Sequence, residues 1–317
     1  MKEIAIGIDI GGTNTVIGAV DITGELLVED VIRTDKYDLI EEYVDKIAET
    51  IEKLLNTLGE DITLVGIGIG APNVNSYTGT IEFAPNLRWK GNIKLDTLIS
   101  KYFNVPVYLL NDANAAALGE MMYGAAKGIR DFIVVTLGTG LGSGFVSNGE
   151  LIIGHNGHAG ELGHTIVEPG GRPCGCGRNG CLEQYASATG IVKTVNEMLV
   201  DNTYDSILRS YRDFEITSKL IYQAALQGDS LSLQAFEFTG KILGLSLANA
   251  VAIVDPEVII LAGGLSFAGE FLLKPTRKSF EENLMHNYKN KVKIILSKIY
   301  SANPAVLGAS AVVWKNL

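Results

Sequence analysis

Two hydrophobic rhythms alternate along the chain. The first has period two. Ile4, Ile6 and Ile8 alternate with smaller residues and run into Asp9-Ile10-Gly11-Gly12-Thr13-Asn14-Thr15. Such alternation predicts a strand. Continued through 16–20, a turn at 21–24 and 25–32, it gives three short strands across residues 3–33. The second rhythm places Ile40, Val44, Ile47, Ile51, Leu54 and Leu55 at helical spacing and predicts a helix over 39–58. A buried-type strand over 64–69 then ends in Gly70-Ala71-Pro72-Asn73. Residues 74–92, with Gly79, Pro85, Asn86 and Trp89, read as an irregular arm. A helix around 94–102, a strand at 107–110 and an alanine-rich helix to Tyr123 follow.

From Asp131 the pattern starts again. Thr136-Leu137-Gly138-Thr139-Gly140 resembles Asp9-Ile10-Gly11-Gly12-Thr13, and Gly149-Glu150-Leu151-Ile152 resembles Gly24-Glu25-Leu26-Leu27. Either two hairpins coincide by chance, or an internal repeat builds two related halves that face a common cleft. Beyond this point the chain is mainly helical over 182–252. A strand at 258–261 runs into Ala262-Gly263-Gly264, and a helix over 271–284, a strand at 292–296 and a last helix over 304–314 follow. Alternating strands and helices predict α/β sheets with helical cover.

Length and charge narrow the function. At 317 residues the chain is long for one core, so two domains are expected. A net charge of −10 argues against a nucleic-acid platform, which needs a basic face. The start, Met1-Lys2-Glu3-Ile4-Ala5-Ile6-Gly7, enters a strand at once without signal-peptide architecture. No apolar run is read as approaching the roughly 20 residues that span a bilayer. The expectation is a cytoplasmic protein that does not engage membranes.

Candidate chemistry concentrates between Asp131 and Glu183. The turn Gly138-Thr139-Gly140-Leu141-Gly142-Ser143-Gly144 follows an apolar run, and glycines there let backbone N–H groups approach an anion. His164, Cys174, Cys176 and Cys181 form a His/Cys3 set of the kind that closes around structural zinc. All three cysteines of the chain lie in this set, which suits a metal better than a disulfide framework. Such a site would hold the loop that carries Glu161 and Glu183. His155 and His158 lie in the same polar loop and are assigned no chemistry; His286 reads as a surface residue.

Three further positions admit two readings each. Asp112 follows a strand and heads a helix, so it is either an N-cap or, with Asn111 and Asn114 at the carboxyl end of that strand, a general base. Asp9 is either a turn aspartate or an acidic group that holds Mg²⁺ beside a triphosphate. Gly263-Gly264 is either a plain strand-to-helix turn or a place for an adenosine to lie against backbone. No G-x-x-x-x-G-K-[ST] motif is present, so neutralising phosphate would fall to Mg²⁺ and backbone amides.

Together Asp9-Ile10-Gly11-Gly12-Thr13, the glycine turn, Glu161-Leu162-Gly163-His164, the cysteine loop and Cys181-Leu182-Glu183 resemble the ROK family (repressor, open reading frame, kinase). The resemblance covers essentially the whole chain. It implies an α/β protein of actin-like ATPase (ribonuclease H-like) fold, with two domains around a cleft. The domains expected are 1–115 plus 303–317, and 116–302 with the zinc-binding loop. Members phosphorylate hexoses with ATP and Mg²⁺ or act as sugar-responsive repressors. The resemblance makes Asp112 the catalytic base and assigns sugar hydroxyls to Asn111, Glu161, His164 and Glu183, with Asp112 itself at the sugar. His164 would also serve the zinc with Cys174, Cys176 and Cys181. Gly11, Gly12, Thr13, Gly138, Thr139 and Gly140 would line the phosphates with Asp9 nearby, and Gly263 and Gly264 the adenosine. Ala84-Pro85-Asn86-Leu87-Arg88-Trp89 resembles an arm of the family's glucokinases, with Asn86 near the sugar.

These features imply a glucokinase that makes glucose 6-phosphate from glucose and ATP, working as a homodimer. The alternatives are a kinase for mannose, fructose, allose or N-acetylmannosamine, a polyphosphate-dependent kinase, or a sugar-binding regulator. Against the last stand the negative charge and the eight residues before Asp9, too few for a helix-turn-helix domain.

Overall fold

The computed structural model describes residues 1–84, 86–200, 205–299 and 303–317; Pro85 of the expected arm lies outside the described residues. In chain order the elements begin with β1 (Lys2–Ile10), β2 (Asn14–Asp21), β3 (Leu26–Arg33), α1 (Ile40–Leu58), β4 (Ile62–Ala71), β5 (Val74–Asn75), β6 (Thr80–Glu82), β7 (Asn92–Lys94) and α2 (Leu95–Ile99). They continue with β8 (Val107–Asn111), α3 (Asp112–Tyr123), β9 (Phe132–Leu137), β10 (Leu141–Ser147), β11 (Glu150–Leu151) and α4 (Ala188–Val200). The rest are α5 (Ser218–Leu226), α6 (Ser230–Val254), β12 (Val258–Ala262), α7 (Glu270–Asn283), β13 (Lys293–Leu296) and α8 (Pro304–Lys315). The chain divides into two compact units, one of residues 1–130, 144–160 and 297–317, the other of 131–143 and 161–296. The expected boundary at 115/116 falls inside α3, which lies whole in the first unit beside α8.

In the first unit the sheet order is β3-β2-β1-β4-β8. β1 is antiparallel to β2 and parallel to β4, and β4 is parallel to β8. The alternation in β1 sorts the two faces. Ile4, Ile6 and Ile8 join one core with Tyr43, Val44, Ile47 and Ile51 of α1, while Ala5 packs on the other side with Val312 and Val313 of α8. That second face is lined with small residues for a steric reason. A Cβ on Gly7 would lie 2.1 Å from the Val306 carbonyl oxygen, and one on Gly68 would lie 1.9 Å from that of Ala309. The backbone of α8 therefore rests directly on β1 and β4.

The second sheet has the order β11-β10-β9-β12-β13. Counted along the chain, this is the order of the first sheet, so the repeat seen in the sequence reappears as a repeated topology. β12 runs parallel to both β9 and β13. Its central strands are bulky throughout: Phe132, Ile133, Val134 and Val135 in β9, and Ile259, Ile260 and Leu261 in β12, are fully buried.

Three expectations change. The irregular arm contains a three-stranded sheet, β5-β6-β7, whose strands of two or three residues are too short to show a period. The helix expected over 94–102 is only the five-residue α2. Among the described residues one helix, α6, is after all long and apolar enough to cross a membrane by length and composition, with 25 residues. Small and polar residues interrupt its apolar run, which hid it in the sequence, and half of its most apolar window is buried in the fold.

Candidate functional site

The first unit brings together Asp9, the β1–β2 turn, Asn86 and the start of α3. The turn closes when the Gly11 N–H donates to the Asn14 carbonyl at 3.0 Å. Behind it lies a buried polar stack. The Thr15 hydroxyl meets Thr34 Oγ1 at 2.7 Å and the Tyr43 hydroxyl at 2.5 Å, and the Tyr43 ring packs on Trp89 with centroids 4.4 Å apart. Burial pushes the Tyr43 phenol well above its usual value, so it stays a neutral hydrogen-bonding group. Trp89 anchors the segment that carries Asn86, and the Asn86 carbonyl oxygen lies only 2.8 Å from where a Gly12 Cβ would be. A side chain at position 12 would push that segment away from the turn.

Asn111 and Asp112 divide the work at the end of β8. The N-cap of α3 is Asn111, whose Oδ1 accepts the Ala113 N–H at 2.9 Å. Asp112 is the first helical residue, so the capping reading of Asp112 gives way to Asn111. One Asp112 oxygen shares the same N–H at 2.8 Å, which orients the carboxylate. Water reaches Asp112, yet protein atoms crowd it, and this desolvation pushes its carboxyl above the ordinary carboxylate range. Asp9, at the end of β1, is pushed up to about 6, first by burial and then by the charge of Asp112. Two crowded carboxylates, one of them raised further by the charge of the other, are the arrangement a divalent cation relieves.

In the second unit, Glu183 is the junction. Its Oε2 accepts the Leu141 N–H of the glycine turn at 3.3 Å, and a Cβ on Gly140 would lie 2.5 Å from that same oxygen. Its Oε1 accepts from Cys174 Sγ at 3.3 Å and from the Gln184 amide at 3.2 Å. His164 stands between the two glutamates, with Nε2 4.0 Å from Glu161 Oε2 and Nδ1 4.0 Å from Glu183 Oε1. The start of α4 steadies the glycine turn from the other side. The Ala188 N–H donates to the Gly138 carbonyl at 2.9 Å and the Thr189 hydroxyl to the Thr139 carbonyl at 2.7 Å. Gly263, at φ +86°, presses on the other edge: its Cβ would lie 2.7 Å from the Leu137 carbonyl carbon. Gly264 opens onto free space.

The metal-type set is assembled. One ligand atom each from His164, Cys174, Cys176 and Cys181 lie within 4.8 Å of one another, and none of the cysteines is in a disulfide. Cys176 and Cys181 sulfurs are 3.6 Å apart, and Cys174 Sγ is 3.6 Å from His164 Nδ1. Tetrahedral zinc–sulfur bonds of about 2.3 Å give edges of about 3.8 Å, so the donor set fits zinc. Burial raises the Cys174 and Cys181 thiols, the latter to about 12, whereas the Arg178 N–H draws Cys176 down to about 6.

Thus each expected residue falls in one of two clusters: Asp9, Gly11, Gly12, Thr13, Asn86, Asn111 and Asp112 in the first unit, the others in the second. Sequence reasoning missed the Thr15–Thr34–Tyr43–Trp89 stack, whose members are far apart in the chain, and Arg172, a lone arginine ahead of the cysteines.

Comparison with known proteins places these clusters in context. The ROK family model matches residues 5–316. A glucokinase of Halalkalibacterium halodurans is 38% identical over 280 residues, covering 87% of this chain and 84% of its own. A xylose repressor of Caldicellulosiruptor bescii is 33% identical, covering 97% of this chain and 77% of its own. The structure of a ROK family glucokinase from Streptomyces griseus, in complex with glucose and AMPPNP, superimposes with a TM-score of 0.80 at 33% identity, over 98% of both chains.

Proposed function

The chain belongs to the ROK family, with its actin-like ATPase fold, and from that premise we propose that it is an ATP-dependent glucokinase that phosphorylates the 6-hydroxyl of glucose. The observation that carries this reading is Asp112. It sits at the carboxyl end of a strand, is reached by water, and is released from capping by Asn111. A carboxylate so held accepts the proton of the 6-hydroxyl as that oxygen attacks the γ-phosphorus. Its raised pKa brings its basicity closer to the working pH.

Asn111, Glu161, His164 and Glu183 receive the sugar hydroxyls, with Asn86 near the sugar. Gly11, Gly12 and Thr13, with Gly138, Thr139 and Gly140, offer backbone N–H groups to the phosphates, and Gly263 and Gly264 lie along the adenosine. Asp9 is the residue that would hold Mg²⁺, whose positive charge neutralises the phosphates. His164 and the three cysteines would hold zinc, whose role is to fix the loop between Glu161 and Glu183. The two domains implied by the family are 1–115 with 303–317, and 116–302, whereas contacts group 116–130, 144–160 and 297–302 with the first of them. The reduced cysteines suit the cytoplasm, and the homodimer implied by the family is checked by light scattering.

A coupled kinase assay across a hexose panel, with ATP and with polyphosphate, tests the function. Glucose with ATP should give the highest kcat/KM. A preference for another hexose or for polyphosphate replaces the substrate assignment, and absence of phosphorylation throughout removes the enzyme reading.

A further inference from the structure

We propose that Arg172 is a positioning residue for sugar recognition: it locks the turn that carries Glu183 onto α4, by a route separate from the metal-type set. The inference rests on reading Glu183 as a sugar ligand.

Arg172 precedes the first cysteine, and its side chain is only 9% exposed. A guanidinium has five N–H donors, and here every one finds an acceptor. Nε and Nη2 grip the Glu197 carboxylate at 2.8 and 2.5 Å. Nη2 also donates to Thr194 Oγ1 at 2.9 Å, and Nη1 donates to the Gln184 and Gly190 carbonyl oxygens at 2.7 and 3.2 Å. The group stacks 4.4 Å over the Tyr185 ring, and the Tyr185 hydroxyl accepts the Arg172 backbone N–H at 2.9 Å. The Arg172 carbonyl in turn accepts the Gly180 N–H at 2.8 Å, next to Cys181.

These bonds converge on one short turn, Leu182–Gln184. Gln184 relays them: its carbonyl is held by Arg172, and its side-chain amide donates to Glu183 Oε1. Glu183 is thus held at Oε1 by the Gln184 amide and at Oε2 by the Leu141 N–H, and of these two donors Gln184 is the one that Arg172 fixes. The planar fork matters more than the charge. Lysine brings three donors on a flexible stem and cannot bridge Glu197, Thr194 and the two carbonyls together.

Arg172→Lys and the milder Glu197→Gln, at a side chain 60% exposed on α4, test the idea. The measurements are glucose and ATP kinetics, zinc content and melting temperature. Arg172→Lys should raise the glucose KM by about 10–100-fold, the range for losing an orienting partner behind a site. The ATP KM should stay within about twofold and zinc content should be unchanged. Glu197→Gln should shift the glucose KM in the same direction by less, which keeps the test readable should Arg172→Lys fold poorly. In a Glu183→Gln background, Arg172→Lys should add little, because both changes act on one contact. An Arg172→Lys enzyme with normal glucose KM, beside a Glu183→Gln enzyme with a raised one, overturns the positioning role alone. Equal rises for glucose and ATP with loss of zinc make Arg172 a general structural residue and overturn it too. A Glu183→Gln enzyme with normal glucose KM removes the sugar-ligand reading itself, and the proposal with it.

Discussion

The two glycine turns are copies in topology and opposites in chemistry. The turn after β1 carries its charge on its own strand, at Asp9, and gains a second carboxylate from Asp112 at the end of β8. The turn after β9 has Thr136 where the first has Asp9, and its carboxylate arrives from far along the chain, when Glu183 reaches back to Leu141. In the first unit one acid stands near the end of a strand and the other opens the helix that follows a strand. In the second an acid is delivered by a loop that a cysteine cluster and an arginine must hold in place. The repeat thus supplies two similar scaffolds, and later residues decide which gathers two crowded carboxylates and which receives a carboxylate from a distant loop.

The largest break in the comparison is Asp112→Asn. Asn111 still caps α3, so the protein should fold and bind glucose, while kcat falls about 10²–10⁴-fold, the usual worth of a general base. Melting with and without glucose checks folding and binding, and turnover above about a tenth of the parent rate excludes Asp112 as the base. Next comes Gly140→Ala. The new methyl would stand 2.5 Å from Glu183 Oε2 and must displace it. We expect kcat/KM for glucose to fall by about 10-fold or more, whereas Gly138→Ala, which meets nothing within 4 Å, should be far milder. Indistinguishable variants would separate Glu183 from the function of the turn.

Cys176→Ser addresses only the delivered acid. Zinc, about one per chain in freshly purified parent, should be lost, and Tm should fall by roughly 5 °C or more, at about 2–4 °C per kcal/mol. The glucose KM should rise with it. Parent protein free of zinc by elemental analysis would remove the metal. The smallest effect concerns the built-in acid. Asp9 has a folded-state pKa raised from 3.8 to about 6, so its contribution to stability is full below 3.8 and is lost as pH rises through about 6. Asp9→Asn should therefore flatten the melting-temperature profile across that window and gain on the parent near neutrality. Parallel profiles for the two proteins would show that Asp9 is not buried against its charge.

What was legible follows from distance along the chain. The glycine turns, Asp9, Asp112 and the cysteine set lie in contiguous stretches where residue type and spacing state the chemistry. The Thr15–Tyr43 contact spans 28 residues, and Arg172 reaches Glu197 across 25. A single sequence holds no signal for such pairs, since Thr, Tyr and Arg suit many surroundings. Asp112 and Asn111 are neighbours of equal capping ability, and only coordinates tell which one caps. Strands as short as β5 and α6's interrupted apolar run escaped because periodicity needs length or uniformity to register.

The intimate seat of α8 on β1 and β4 has a consequence for biosynthesis. Gly7 and Gly68 hold their places against carbonyls of residues made some three hundred positions after β1. As the ribosome advances, the first sheet emerges early with one face uncovered, and it stays so while residues 161–296 are made and can close their own unit. Domains ordinarily mature from the N-terminus onward during synthesis; in this chain the half that begins translation is the half completed last. At about 5–20 residues per second, the nascent sheet waits tens of seconds for its final helix, a window in which a chaperone would find it.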